Sequence, residues 1–286
     1  MTSANRSLHL AAVFAATLTL ASGSFAQSGA ASGAAAAGSA NRTIGRDTSP
    51  LNQENALEVI KPPEPKEEKA YKAFKSFQAL PNTDMAHKTQ AGEDFIKKYP
   101  STSYTSYVYG FLTVAYIQTG ALDKATEAGD KDLQLNPHDV HTMAALSQAL
   151  ARLYRPGTPN GEAQLAKADD YGKRAIAMVP TLTKPEGVDD AKFEASKNSV
   201  LAMAYSGTGL VLLHKQDYAG AVPLLEKAIE LGDNSDSTNY YLLGVASLNS
   251  NQAQKAAAAF EKCAAVQGNL QQTCSAGLAE AKQRAK

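Results

Sequence analysis

Residues 106–139 read SYVYGFLTVAYIQTGALDKATEAGDKDLQLNPHD. Tyr109, Leu112 and Tyr116 recur at alternating spacings of three and four, which places them on one stripe of a helix. Thr119-Gly120-Ala121 breaks the stripe with a turn, and the small side chain of Ala125 lets a second helix approach the first closely. Asn136-Pro137 ends that second helix, because proline has no amide hydrogen to donate and restricts the residue before it. The stretch predicts an antiparallel helical hairpin.

The same marks return downstream. In residues 140–180, Met143, Leu146 and Leu150 repeat the first stripe, and Ala168, Ala175 and Pro180 repeat the second-helix marks. Between them Arg155-Pro156-Gly157-Thr158-Pro159-Asn160-Gly161 is too rich in proline and glycine for helix, so an enlarged turn is expected there, with Asn160 or a neighbour capping the next helix. Residues 181–187 form a Pro/Gly-containing connection. In residues 189–233, Tyr205, Gly209 and Leu212 mark a first helix that starts near Asp189 or Asp190 and exceeds the usual length. Ala221, Leu225 and Ala228 mark the second helix, after a turn at His214-Lys215-Gln216-Asp217-Tyr218. In residues 237–268 the marks are Tyr240, Leu243, Gly244, Ala256, Phe260 and Cys263, and Gly209 and Gly244 stand 35 residues apart. The edges are atypical. Residues 66–100 read as a degenerate hairpin with Tyr71, Phe74 and Phe77 apolar and Pro100 as its stop, and residues 270–286 read as a polar-faced capping helix.

Units of this kind, repeating at about 34 residues, resemble the tetratricopeptide-repeat family over residues 66–286. The resemblance implies an all-α, right-handed α-solenoid of antiparallel helix pairs with a C-terminal capping helix and a concave groove lined by the first helix of each pair. The groove residues it implies are Tyr107, Val114 and Gln118, then His141, Gln148 and Arg152, then Met203, Leu210 and His214, and finally Tyr241, Val245 and Asn249. One subset of the family grips carboxylate-ended peptides with a Lys/Asn/Arg set. Here the matching positions hold Gly110, Val114, Ala145, Met203 and Gly207, so that charged clamp is missing. An apolar-centred groove suits an extended peptide or an amphipathic helix of a protein partner.

Composition agrees with small-residue helix packing: the chain has 286 residues, a hydrophobic fraction of 44%, a charged fraction of 20% and no tryptophan. Lysine plus arginine (28) balance aspartate plus glutamate (28), so no global field favours nucleic acid or an anionic membrane surface. At the N-terminus, Arg6, an apolar run over residues 8–21 and Ser24-Phe25-Ala26 form the pattern of a signal peptide cut after Ala26. The run is too short and too rich in Ala and Thr for the roughly 20 apolar residues of a spanning helix, and no cysteine stands near the cut to take a lipid. A periplasmic or secreted product is expected, with no membrane span. Residues 27–65 are first Gly/Ala/Ser-rich and end in Pro62-Pro63-Glu64-Pro65, the composition of a disordered tether. Leu51, Leu57, Val59 and Ile60 leave open a short linear motif within residues 51–60.

Candidates for chemistry are few. His138-Asp139-x-His141 is the one His pair of metal-like density, but it follows Pro137 at a repeat junction, where polar turn and cap residues are expected, and further ligands are missing. There is no phosphate-binding glycine loop, zincin motif or nucleophile elbow, and Gly207-Thr208-Gly209 falls inside a helix in register with the other units. No metal, cofactor or catalytic residue is expected. Cys263 and Cys274 suit a disulfide holding the cap, given an oxidising compartment, or two buried thiols at a helix interface. The function expected is a non-catalytic protein–protein interaction scaffold, with envelope assembly or secretion as settings. The alternatives are a groove-based ligand-binding protein or enzyme using His141, Arg152 and His214, and a structural protein that self-associates through its terminal helices.

Overall fold

The computed structural model of this chain describes residues 56–57, 60, 62–232 and 236–286. The expected signal peptide, and the tether apart from Ala56, Leu57, Ile60 and residues 62–65, lie outside the described residues. Within those described there are no strands, and no helix is long and apolar enough to cross a membrane.

The helices are α1 (Glu68–Gln78), α2 (Met85–Lys98), α3 (Thr105–Gln118), α4 (Leu122–Leu135), α5 (Val140–Leu153), α6 (Gly161–Met178), α7 (Asp190–His214), α8 (Tyr218–Leu231), α9 (Ser237–Asn249), α10 (Ala253–Ala265) and α11 (Gln271–Arg284). They pack in sequential pairs, α3 with α4, α5 with α6, α7 with α8 and α9 with α10, and each pair stacks on the next. The result is an all-α solenoid. Asp139, Asp189, Asp217 and Asp236 each cap the helix that follows, taking the amides of Thr142, Lys192, Gly220 and Thr238. Asn160 precedes α6 without making a side-chain cap bond.

Three of the hairpin turns share one backbone device. Gly120, Gln216 and Asn251 each lie two residues past the end of a first helix with φ of 74°, 61° and 61°. In each case the following amide reaches back five residues, from Ala121 to the carbonyl of Tyr116, Asp217 to Leu212 and Gln252 to Ser247, at 2.9, 2.9 and 2.8 Å. This left-handed stop satisfies carbonyls that the helix end would otherwise leave without partners. Glycine adopts it freely, asparagine with little cost, and glutamine against its own sterics.

Each hairpin also crosses where one partner is small. A β-carbon on Gly209 would stand 2.9 Å from the Leu225 side chain, and one on Gly244 would stand 2.6 Å from the Phe260 ring. The 35-residue interval between the two glycines thus repeats one packing contact, first-helix glycine against a large second-helix residue. Unit 1 inverts the sizes: Gly129 lies on the second helix, facing Thr113 of α3 and Leu146 of α5.

The two ends differ from the middle. At the N-terminal end Phe74, Phe77, Phe95, Tyr104, Val108 and Leu112 form an aromatic-rich core, with the Phe74 and Tyr104 rings stacked at 5.1 Å. The Glu67 carboxylate accepts the Ser103 amide (3.0 Å) and hydroxyl (2.7 Å), pinning the start of α1 beside the start of α3. Buried Lys88 donates to the Leu80 carbonyl (2.8 Å) and Asn82 (2.7 Å) while lying over the Phe77 and Phe111 rings, and its burial lowers its pKa. At the other end Cys263 of α10 and Cys274 of α11 are joined in a disulfide with a Cα–Cα distance of 5.8 Å. Gly277 lets α11 settle on the Phe260 ring.

Candidate functional site

The first helices α3, α5, α7 and α9 carry the twelve residues that the sequence assigns to a groove, and the fold treats them unequally. Val114, Leu210, Tyr241 and Val245 are buried, each 8% exposed or less, because first helices pack on one another as well as on their partners. Their side chains belong to the core and not to an open face, which corrects the assignment for these four. Tyr241 packs against Phe260 (ring centroids 6.3 Å), and half-buried Tyr107 lies 5.9 Å from the Phe74 ring. Gln118 is exposed at the end of α3, while His141, Gln148, Arg152, Met203, His214 and Asn249 are partly exposed.

Several of these polar groups are committed to holding helices together. His214, at the end of α7, donates its Nε2–H to the Ala151 carbonyl of α5 at 2.9 Å, since a carbonyl can only accept. Its ring meets Tyr154 edge-on at 4.7 Å, and the Tyr154 hydroxyl binds Glu162 at 2.5 Å. Burial pushes the His214 pKa down, against the opposing effect of the carbonyl. Arg152 of α5 extends its Nη2 to 3.9 Å from Asp236, the residue that caps α9, and so links two first helices that have α7 between them in sequence. Asn249 donates to the Val245 carbonyl one turn back on α9.

Sequence reasoning missed the buried polar cluster at the α3–α4–α5 junction. Asp132 of α4 has no solvent exposure, and its carboxyl group accepts from Ser106 of α3 and from Thr142 of α5. Asp139 stands on the same side: a β-carbon on Gly110 would lie 3.4 Å from Asp132 Oδ2 and 3.5 Å from Asp139 Oδ2. Burial first, then the Asp139 charge, raise the Asp132 pKa well above the carboxylate range despite the two hydroxyl donors. His141 lies next to this pair, its pKa lowered by burial and drawn up by Asp139. His138 is exposed on the junction, its amide bonded to Asn136. No group of three or more His, Cys, Asp and Glu that could hold a metal occurs among the described residues. The cluster is a hydrogen-bonded junction, with no nucleophile and base converging on open space.

A second polar tie was equally invisible: Ser206 of α7 donates to Asn239 of α9 at 2.7 Å, both buried. On the second-helix side, Asp130 of α4 binds Lys167 and the Tyr171 hydroxyl of α6, both at 2.7 Å. A pocket of about 470 Å³ opens there between Asp123, Glu127, Lys131 and Gln164.

No family model matches the chain, and no curated protein matches it. Solved structures do. The chain is similar to the MamA RS-1 ArsTM double mutant, at 16% identity over 70% of this chain and 94% of that one, with a TM-score of 0.50. It is also similar to a thermophilic TPR protein in Thermus thermophilus (18% identity, 76% and 99% covered, TM-score 0.47). A third likeness is to a tetratricopeptide repeat protein from Parabacteroides merdae (12%, 76% and 97%, TM-score 0.25). At such identities the likeness is one of fold.

Proposed function

We propose, with a tetratricopeptide-type α-solenoid as the premise, that this chain is a non-catalytic scaffold outside the cytoplasm that grips a peptide or helix of a partner protein along its first helices. The supporting observation is the fate of the groups that chemistry would need. His214 is bound to Ala151, Arg152 is drawn to Asp236, and Asp132 is held between Ser106 and Thr142. What the first helices leave partly open is Gln148, Met203 and the outer part of Tyr107, a neutral and adaptable set suited to packing against a peptide. Export follows from the signal-peptide pattern of residues 1–26, and envelope assembly or secretion is the setting we favour for it.

Immobilised wild-type chain tests this reading by capture from an extract of the producing cell's envelope, beside Met203→Asp and Gln148→Glu chains of unchanged circular dichroism. The wild type should retain one partner reproducibly and the variants should lose it. If no partner is retained while the chain turns over a small substrate, the scaffold reading is wrong. Light scattering on the eluting peak separates a hetero-partner from self-association.

A further inference from the structure

Arginine occurs once on the first helices α3, α5, α7 and α9, as Arg152 near the end of α5. The packing around α7 sets its place. The preceding residue, Ala151, is bound by His214 of α7, and one turn earlier Ser147 and Gln148 lie against Gly207. Asp236 stands at the start of α9, three residues ahead of the Asn239 that Ser206 of α7 binds. Because α7 packs on both α5 and α9, the Arg152 head and Asp236 meet across it.

The pairing they make there is incomplete. Arg152 Nη2 stands 3.9 Å from Asp236 Oδ2, beyond the roughly 3.2 Å reach of an N–H···O hydrogen bond. The other Asp236 oxygen already accepts the Thr238 amide at 2.8 Å as the cap of α9. Arg152 Nε is cut off from solvent and makes no hydrogen bond among the described residues, and burial lowers the guanidinium pKa against the pull of Asp236. Arg174 and Arg284 are held differently, each on a carboxylate one turn back on its own helix, Asp170 and Glu280. A cation drawn out of water with unmet donors costs stability, and an arriving anion removes that cost. The pair is also within reach, since 39% of the Arg152 side chain and 37% of the Asp236 side chain stay exposed. A guanidinium offers parallel N–H groups in one plane, the arrangement that the two oxygens of a carboxylate match. Gln148, one turn before Arg152 on the same side of α5, sets a neutral amide beside the cation and repels no anion.

We propose that Arg152 is the anion-binding residue of the first-helix face: its guanidinium takes the carboxylate of an aspartate or glutamate side chain in a partner peptide, and Asp236 is the internal carboxylate that the peptide displaces. The proposal deepens the scaffold reading and rests on it. An acid that reaches hydrogen-bond distance from the guanidinium gains two charge-assisted bonds where Asp236 makes none, so the exchange favours the ligand. A neutral peptide leaves the donors as they are, and the face therefore discriminates by charge at one position while Met203 and Gln148 accept varied neighbours.

The test selects random displayed peptides, their C-termini blocked by fusion, on immobilised full-length chain. Acetylated and amidated synthetic copies of the selected peptides, labelled with fluorescein, are then titrated by anisotropy, so that a side chain is the one source of carboxylate. The wild type should enrich peptides that carry an aspartate or glutamate, and replacing that acid by its amide should weaken binding roughly tenfold or more. On an Arg152→Gln chain of unchanged circular dichroism the acid and amide forms should bind alike. Asp236→Asn keeps the cap of α9, because asparagine caps a helix as well as aspartate does, and removes the internal competitor. That chain should bind the acidic peptide several-fold more tightly than the wild type, whereas a pair that only held the helices together would leave the affinity unchanged or lower it. Selected peptides without an acid, an acid-to-amide loss that persists on Arg152→Gln, or no gain on Asp236→Asn each overturns the proposal and leaves the scaffold reading standing. Retention of no peptide by any of the chains overturns both.

Discussion

Thr142 of α5 donates a 2.5 Å hydrogen bond to Asp132 of α4, a carboxyl group fully removed from solvent. Ser106 of α3 donates to the other oxygen, so three helices of two successive units meet on one side chain. Burial and the Asp139 charge push its pKa up to about 8, so the folded chain binds a proton there that the unfolded chain releases near the ordinary value of 3.8. The folded state holds more protons in that window, and stability must fall as pH rises from about 4 to about 8, by at most about 1.4 kcal/mol per pH unit from this group. Asp132→Asn keeps the shape and the neutrality of the group, with one oxygen still accepting and an amide NH2 that turns the other hydroxyl into an acceptor, and should flatten the slope. Urea unfolding of the two chains at pH 5, 7 and 8.5 measures it; an unchanged slope in Asp132→Asn would assign the dependence to another group.

The left-handed turns give a prediction of opposite sign. Gln216 holds φ at 61° where Gly120 occupies the equivalent place in the first unit. Gln216→Gly removes the clash of a β-carbon at positive φ but loosens the unfolded chain, and the balance should favour the variant by about 0.5–1 kcal/mol. Gly120→Gln should cost a similar amount. Differential scanning calorimetry checks both, and a destabilised Gln216→Gly would mean that the side chain makes an overriding contact.

The close crossings are less forgiving. A methyl group on Gly207 would enter the Ser147 hydroxyl at 2.5 Å and the Gln148 backbone at 2.8 Å, where α7 lies across α5. Backbone cannot rotate away as a side chain can, so Gly207→Ala should cost about 1–3 kcal/mol. Gly187→Ala, with nothing within 4 Å of its β-carbon, separates this steric cost from backbone strain, since its φ is 79°. Chemical denaturation of both variants should show the Gly207 change as the larger.

How much of this was legible in the sequence depends on the range of each interaction. Helical stripes and stop signals are local, so Tyr109, Leu112 and Tyr116 and the 35-residue step from Gly209 to Gly244 were enough for an all-α repeat fold. The groove was harder, because whether a first-helix residue faces a cleft or a neighbour depends on how far successive units rotate. Val245 and Leu210 look alike in sequence to any groove residue, yet lie in the core. Asp132 gave no warning: one of four acids on α4, with Asp123, Glu127 and Asp130, it is buried against Ser106 and Thr142, which lie 36 residues apart in the chain.

The sulfurs of Cys263 and Cys274 close a short loop that includes the turn into α11. By loop entropy such a closure contributes on the order of 2–3 kcal/mol, and the stabilisation falls on the terminal helix, which has a neighbour on one side only. Reduction, or Cys274→Ser, should raise amide exchange along α11 well before it affects α5 and α7. Exchange that rose evenly through the stack would show that the last helix and the middle units unfold as one.

The pH response of His214 runs opposite to that of Asp132. Its ring is neutral in the fold, because burial lowers its pKa and the Nε2–H is engaged with Ala151. The unfolded chain takes up a proton near the ordinary histidine value of about 6.5, while the folded chain does so only at lower pH. Stability from this group is therefore complete above about 6.5 and is lost as pH falls through that value towards the depressed folded pKa. His214→Gln can donate from its amide without titrating, so it should remove the acid-side loss while leaving the neutral-pH stability within about 1 kcal/mol. Thermal unfolding of the Asp132→Asn chain isolates the effect, since that background lacks the rising branch of the other group. An acid-side loss that persists in Asp132→Asn/His214→Gln would move the titrating group to His141, beside Asp139.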